Sequence, residues 1–152
     1  MTPAARLAEL GLVLPEPKAP LASYVPAVVA GGLLHVSGQL PFRDGAVMTG
    51  RLGDGTDVEE GQAAARLCGI MLLAQAQAAL GALDRIARVV KLGVFVASHP
   101  DFTDQPLVAN GASDLMESVF GEAGRHARAA VGVAALPLGA AVEVDAIFAI
   151  AD

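Results

Sequence analysis

Arg128 stands in an apolar run, His126-Ala127-Arg128-Ala129-Ala130-Val131-Gly132-Val133, and Glu143 follows it in Val142-Glu143-Val144-Asp145. Taking a guanidinium out of water is costly unless an anion meets it, and its planar fork matches a carboxylate. Alternation along an extended run puts Arg128, Ala130, Gly132 and Ala134 on one side and Ala129, Val131 and Val133 on the other. Tiny side chains therefore leave space beside the arginine. Glu143 and Asp145 share a face of the next run, so a carboxylate approaches the same cavity if the register of the pair brings it there. Two readings fit this spacing: a clamp for a small acid, or a structural Arg128–Glu143 ion pair or solvated edge.

Other chemistry-bearing side chains are scattered. His35 falls in a strand-like run and His99 in a turn, with no metal-ligand spacing between them, so structural roles are expected. His126 reads as a hydrogen-bonded residue at a strand start, with a proton donor as the alternative. The single cysteine, Cys68, lies within a helical apolar pattern and reads as a buried structural thiol. Tyr24 and Ser37 either line a pocket or serve the local hairpin, Tyr24 as an anchor and Ser37 by satisfying backbone groups before Gly38.

The elements that must position these residues can be read from punctuation and period. Residues 1–20 form an arm, a short amphipathic piece followed by Pro15-Glu16-Pro17-Lys18-Ala19-Pro20, and residues 21–152 a single domain. Apolar runs on either side of Gly31-Gly32 predict a β-hairpin from Tyr24 to Ser37. The glycine-rich stretch from Arg43 to Gly55 predicts an irregular connection with at most one short strand. Asp57 and Glu60 form a capping box for a helix that runs to Leu80 and stops at Gly81, with one apolar face built on Ala63, Ala64, Leu67, Ile70, Met71, Ala74 and Ala78.

A strand is expected from Arg88 to Ser98, then a second helix from about Asp104 to Gly121 with Pro106 in its first turn. Two apolar runs around Leu136-Pro137-Leu138-Gly139-Ala140 predict a final hairpin. The sum is an α+β domain with two helices on one face of a sheet of at least five strands. Both parities of the strands are apolar, so the second face needs cover, from the N-terminal arm or from another subunit. Mean hydropathy of +0.54 with 17% charged residues favours a homo-oligomer whose sheets pack together.

Charge narrows the partners. Lys and Arg number 10 against 16 Asp and Glu, and a net charge of -6 weighs against nucleic acid as a partner. The first ten residues do not read as a secretory signal, and no later stretch reads as a membrane span free of charge or turn residues. A cytoplasmic protein with no membrane partner is the expectation.

The segment from Ala127 to Pro137, followed by Val142-Glu143-Val144-Asp145-Ala146, resembles the C-terminal signature of the RidA/YjgF imine deaminase family. Upstream, Lys18-Ala19-Pro20, Tyr24 and Val36-Ser37-Gly38-Gln39-Leu40-Pro41 resemble its N-terminal hairpin in matching order, and Lys91-Leu92-Gly93-Val94-Phe95-Val96 fits a strand between them. The resemblance implies a chorismate-mutase-like fold, a mixed sheet of about five or six strands with two helices on one face. It also implies a homotrimer with its sheets around a central barrel, sites in clefts between subunits, and no metal or organic cofactor. The implied activity is that of a 2-iminobutanoate/2-iminopropanoate deaminase, a hydrolase that turns reactive enamines and imines into 2-keto acids and ammonia.

On that resemblance Arg128 clamps the substrate carboxylate and Glu143 positions the attacking water, while Tyr24, Ser37 and Asn110 match pocket residues. The chain departs from the family pattern at His126, where a proline is usual, and at Ala130, where a cysteine is common. The backbone carbonyl of Ala130 remains able to contact the water. Three other readings compete: a non-catalytic trimeric sensor of small carboxylates, chorismate-mutase chemistry, and, more distantly, ribonuclease activity.

Overall fold

The computed structural model describes residues 1–17 and 22–152, so Lys18-Ala19-Pro20 of the N-terminal motif lies outside the described residues. Thr2 caps α1 (Pro3–Glu9) by accepting from Ala5 N, and Leu7 of this helix is buried in the main core. A hairpin follows, β1 (Ala27–Ala30) and β2 (Leu33–Gln39), turned by Gly31 and Gly32 at φ 59° and 76°. Its first strand starts three residues later than the apolar run from Tyr24 does.

The glycine-rich connection holds a second, smaller ladder rather than a single strand: β3 (Phe42–Arg43) against β4 (Ala46–Val47). Asp44 and Gly45 turn it at φ 51° and 81°, the positive pair that a tight two-residue hairpin requires.

The capping box is present in both directions and starts α2 (Val58–Leu80): Glu60 N donates to Asp57 Oδ1 at 2.8 Å and Asp57 N to Glu60 Oε2 at 2.9 Å. Gly81 in the left-handed region ends it. Beyond it come β5 (Ile86–Ala97), α3 (Gln105–Phe120), β6 (Ala127–Val133) and β7 (Val142–Ile150).

Strand order in the five-stranded sheet is β1-β2-β7-β5-β6. The expected final hairpin does not form. β6 pairs in parallel with β5 through the α3 crossover, while β7 pairs antiparallel with both β5 and β2. The strand–helix–strand unit thus places β6 at the sheet edge and wedges β5 between the two runs that look adjacent in sequence.

Both α2 and α3 cover one face of the sheet. Leu34, Val36, Val89, Leu92, Val94, Val142, Val144, Ala146 and Phe148 point into that layer and form one core with Cys68, Leu72, Val108, Leu115 and Met116. α2 is buried beyond the single expected face, with every residue from Met71 to Ala76 inside, because it packs both on the sheet and on α3 beside it. Of its expected apolar face, Ala78 is exposed. The length and apolarity of α2 suit a membrane span, but the helix carries Arg66, Gly61 and Gly69 and most of it is buried in this core. Cys68 is fully buried with its thiol 3.5 Å from Val142 O, and burial pushes its pKa well up, as expected of a structural thiol.

The opposite face of the sheet carries His35, Lys91, Phe95, Ala129, Val131, Glu143, Asp145, Ile147 and Ala149 by alternation. α1 packs on α3 instead of crossing to that side. Val28 and Val131 stay about half exposed there, at 50% and 47%.

Candidate functional site

Register decides which candidate residues meet. Arg128 is the partner of Leu92, whose own partner across the sheet is Ala146, and both of these are buried under the helices. Glu143 is the partner of Phe95, which pairs with Val131, and these three lie on the open face. Two strand spacings and three residues of offset put the Cα atoms of Arg128 and Glu143 roughly 14 Å apart, with side chains leaving opposite faces. Within one chain they form neither an ion pair nor a shared cavity.

The arginine belongs to a cluster at the β6 edge. Arg128 Nη1 donates to Asn110 Oδ1 at 2.9 Å and to Ser113 Oγ at 3.1 Å, and Nη2 donates to Pro106 O at 3.2 Å. Asn110 and Ser113 are three residues apart on α3 and so present to the same side of it. Ala130, also on the helix-facing side of β6, is partly buried against the core. An open hollow of about 220 Å3, lined by Ser113, Glu117, Gly124, Arg125, His126 and Arg128, lies beside the guanidinium.

All three acceptors of Arg128 are neutral. The ion pairs found among the described residues join His99 to Asp101 and Arg125 to Glu122, and neither involves Arg128. A guanidinium has five N–H groups. With three engaged, Nε–H and one Nη2–H find no acceptor among the described residues, which leaves a half-buried positive charge and two donors for an anion.

Glu143 belongs to a second cluster, on the open face where the central strand β7 runs beside β2. Gly38 of β2 packs so closely on it that a methyl group there would sit 2.8 Å from Glu143 Oε2. Beside Gly38, Ser37 Oγ donates to Val25 O at 2.9 Å and Ser37 N to Pro26 O at 2.9 Å, tying down the loop that carries Tyr24, itself half exposed. Burial, and then the charge of Asp145, hold the Glu143 carboxyl above its ordinary pKa. Asp145 is raised as well, by burial, against the opposing pull of a Gly93 backbone hydrogen bond and Lys91.

The structure thus sorts the six expected site residues into two sets: Arg128, Asn110 and Ala130 at the β6 edge, and Tyr24 before β1, Ser37 on β2 and Glu143 on the central β7. Sequence reasoning missed Ser113 and the Pro106 carbonyl as holders of the arginine, and Gly38 as the seat of Glu143. The spacing of Asn110 and Ser113 on a helix was the available signal for the first. Among the described residues no cluster of metal-ligand side chains occurs.

A family model described as "YjgF/chorismate_mutase-like, putative endoribonuclease" matches residues 4–150. Protein TCP17 of Trypanosoma cruzi is 63% identical over 146 residues, which are 95% of this chain and 91% of that protein. A Shewanella oneidensis structure bearing the same endoribonuclease description superposes with a TM-score of 0.95 at 37% identity, covering 99% of this chain and all of that one. Escherichia coli TdcF, solved with bound serine, matches at TM-score 0.64 and 25% identity over 93% of this chain and 97% of its own.

Proposed function

Because the chain belongs to the YjgF/chorismate-mutase-like family, we propose that it hydrolyses reactive imines and enamines of small carboxylates to 2-keto acids and ammonia, in a site shared between two subunits of a homotrimer. One observation carries this reading: Arg128 is a half-buried cation held only by neutral acceptors, with two donors left over. An ion-pair role for it lacks a carboxylate. A small acid supplies one, and the serine bound to TdcF is a ligand of that class.

The composite site follows from the placement of the two clusters. Arg128 and Ala130 lie at the β6 edge beside Asn110, whereas Glu143 lies on the central strand β7 with Ser37 on neighbouring β2, so a second copy that brings its Glu143 cluster to the Arg128 edge would complete the site. The uncovered face, with half-exposed Val28 and Val131, supports packing of sheet on sheet.

In this site Arg128 holds the substrate carboxylate through Nε–H and Nη2–H. Starting from the imine protonated on nitrogen, Glu143 of the adjoining copy accepts a proton from water as its oxygen bonds to the imine carbon, and then passes that proton to the nitrogen of the adduct. The C–N bond of the tetrahedral adduct then breaks, ammonia leaves, and the adduct hydroxyl becomes the keto oxygen as its proton goes to Glu143 or solvent. A carboxylate with a raised pKa suits that exchange, since it binds the proton that it takes. The ordering of reactants replaces covalent chemistry.

The test is a panel of imino acids, generated in place by an amino-acid oxidase or a dehydratase, with the wild type and Arg128→Ala. Faster imine decay with wild type, and a loss of on the order of 2–5 kcal/mol in apparent affinity for Arg128→Ala, is expected when one partner of a charge pair is removed. Unchanged turnover in the variant removes the clamp. Keto-acid binding that raises the melting temperature without any turnover identifies a sensor instead. The endoribonuclease wording attached to relatives finds no support in a chain of net charge -6.

A further inference from the structure

We propose that Ser113 and His126 are positioning residues that fix the Arg128 guanidinium through a hydrogen-bond relay of one polarity; the inference rests on the clamp described above. His126 Nδ1 lies 2.6 Å from the Gly124 carbonyl oxygen, an atom that only accepts. Nδ1 therefore carries the proton. In a neutral imidazole the other nitrogen is then an acceptor, and Nε2 lies 2.9 Å from Ser113 Oγ, which donates to it. With its proton so committed, the hydroxyl turns lone pairs toward Arg128 Nη1, the donor at 3.1 Å.

The relay runs from Arg128 through Ser113 and His126 to Gly124, every donor facing one acceptor. Asn110 Oδ1 takes the other Nη1 proton at 2.9 Å, so both hydrogens of that nitrogen are pinned and the guanidinium plane is set.

Pyruvate, a keto acid of the proposed product class, is the probe, titrated calorimetrically into the protein at neutral pH alongside steady-state kinetics. Ser113→Ala is expected to weaken pyruvate binding and raise KM about tenfold, as a lost charge-assisted hydrogen bond does, with kcat little changed. Ser113→Thr keeps the hydroxyl and restores both. His126→Gln, whose amide oxygen accepts near the Nε2 position, should keep wild-type affinity, whereas His126→Ala, which offers Ser113 no acceptor, should lose affinity as Ser113→Ala does. Wild-type affinity in Ser113→Ala, with binding abolished in Arg128→Ala, overturns the relay while leaving the clamp standing. Wild-type affinity in His126→Ala overturns it too. Pyruvate binding that survives Arg128→Ala removes the clamp and the relay together. Melting temperatures of all variants separate misfolding from misplacement.

Discussion

Gly38→Ala should damage the reaction while sparing the fold. The glycine is outside the positive-φ set, so alanine meets no backbone strain there. Its Cβ would sit 2.8, 2.9 and 3.1 Å from Oε2, Cδ and Cγ of Glu143. Relaxing those contacts to about 3.5 Å displaces the carboxylate by roughly 0.7 Å. Glu143 is half-buried and its end is flexible, so the cost to stability stays near that of an off-rotamer side chain, about 0.5–1.5 kcal/mol. Water aimed by that carboxylate moves with it, and a misplacement approaching 1 Å costs on the order of 10²-fold in rate. The assay is imine decay at saturating substrate, with a thermal melt on the same sample. Wild-type kcat in a variant that melts like the wild type would refute the placement of Glu143 at the reacting centre.

The remaining predictions also centre on Glu143. Glu143→Gln should lower kcat by roughly 10²–10⁴, measured by the same decay. Since the fold holds Glu143's proton more tightly than the unfolded chain does, its charge costs stability once pH rises through the raised pKa. The glutamine variant should therefore melt higher than wild type at neutral pH and no differently in acid, where Glu143 is protonated in both states. The wild-type rate should fall on the acid side as Glu143 is protonated, at a pH above the ordinary carboxylate range, and Asp145→Asn should move that limb to lower pH by removing the second cause of the shift. A limb that stays in place in Asp145→Asn would assign it to another group.

Local signals were legible wherever a residue's role is set by its near neighbours. The Asp57–Glu60 box, Gly81, Pro106 and Gly31-Gly32 mark element ends through contacts within a few residues, and all four act as their types imply. The pairing of β6 was not legible. An edge strand after a helix crossover and a hairpin strand share the same alternation, and only the long-range choice of β5 as partner separates them. That one difference moved Arg128 and Glu143 to opposite faces. The family resemblance correctly named the fold. Asn110 was placed by resemblance alone until the hydrogen bond to Arg128 gave it a function in the fold. Ser113 went unnoticed because a serine in a helix carries no signal until the strand opposite it is known.

The central claim is that Arg128 of one copy works with Glu143 of another, and subunit complementation tests it most directly. Arg128→Ala and Glu143→Gln, each inactive alone, would be unfolded together in equal amounts and refolded so that subunits mix at random. At each interface half of the arginine sides and half of the glutamate sides are intact, so about one quarter of wild-type activity should return in a closed ring of identical contacts. Mixed oligomers as inactive as the two parents would contradict the account.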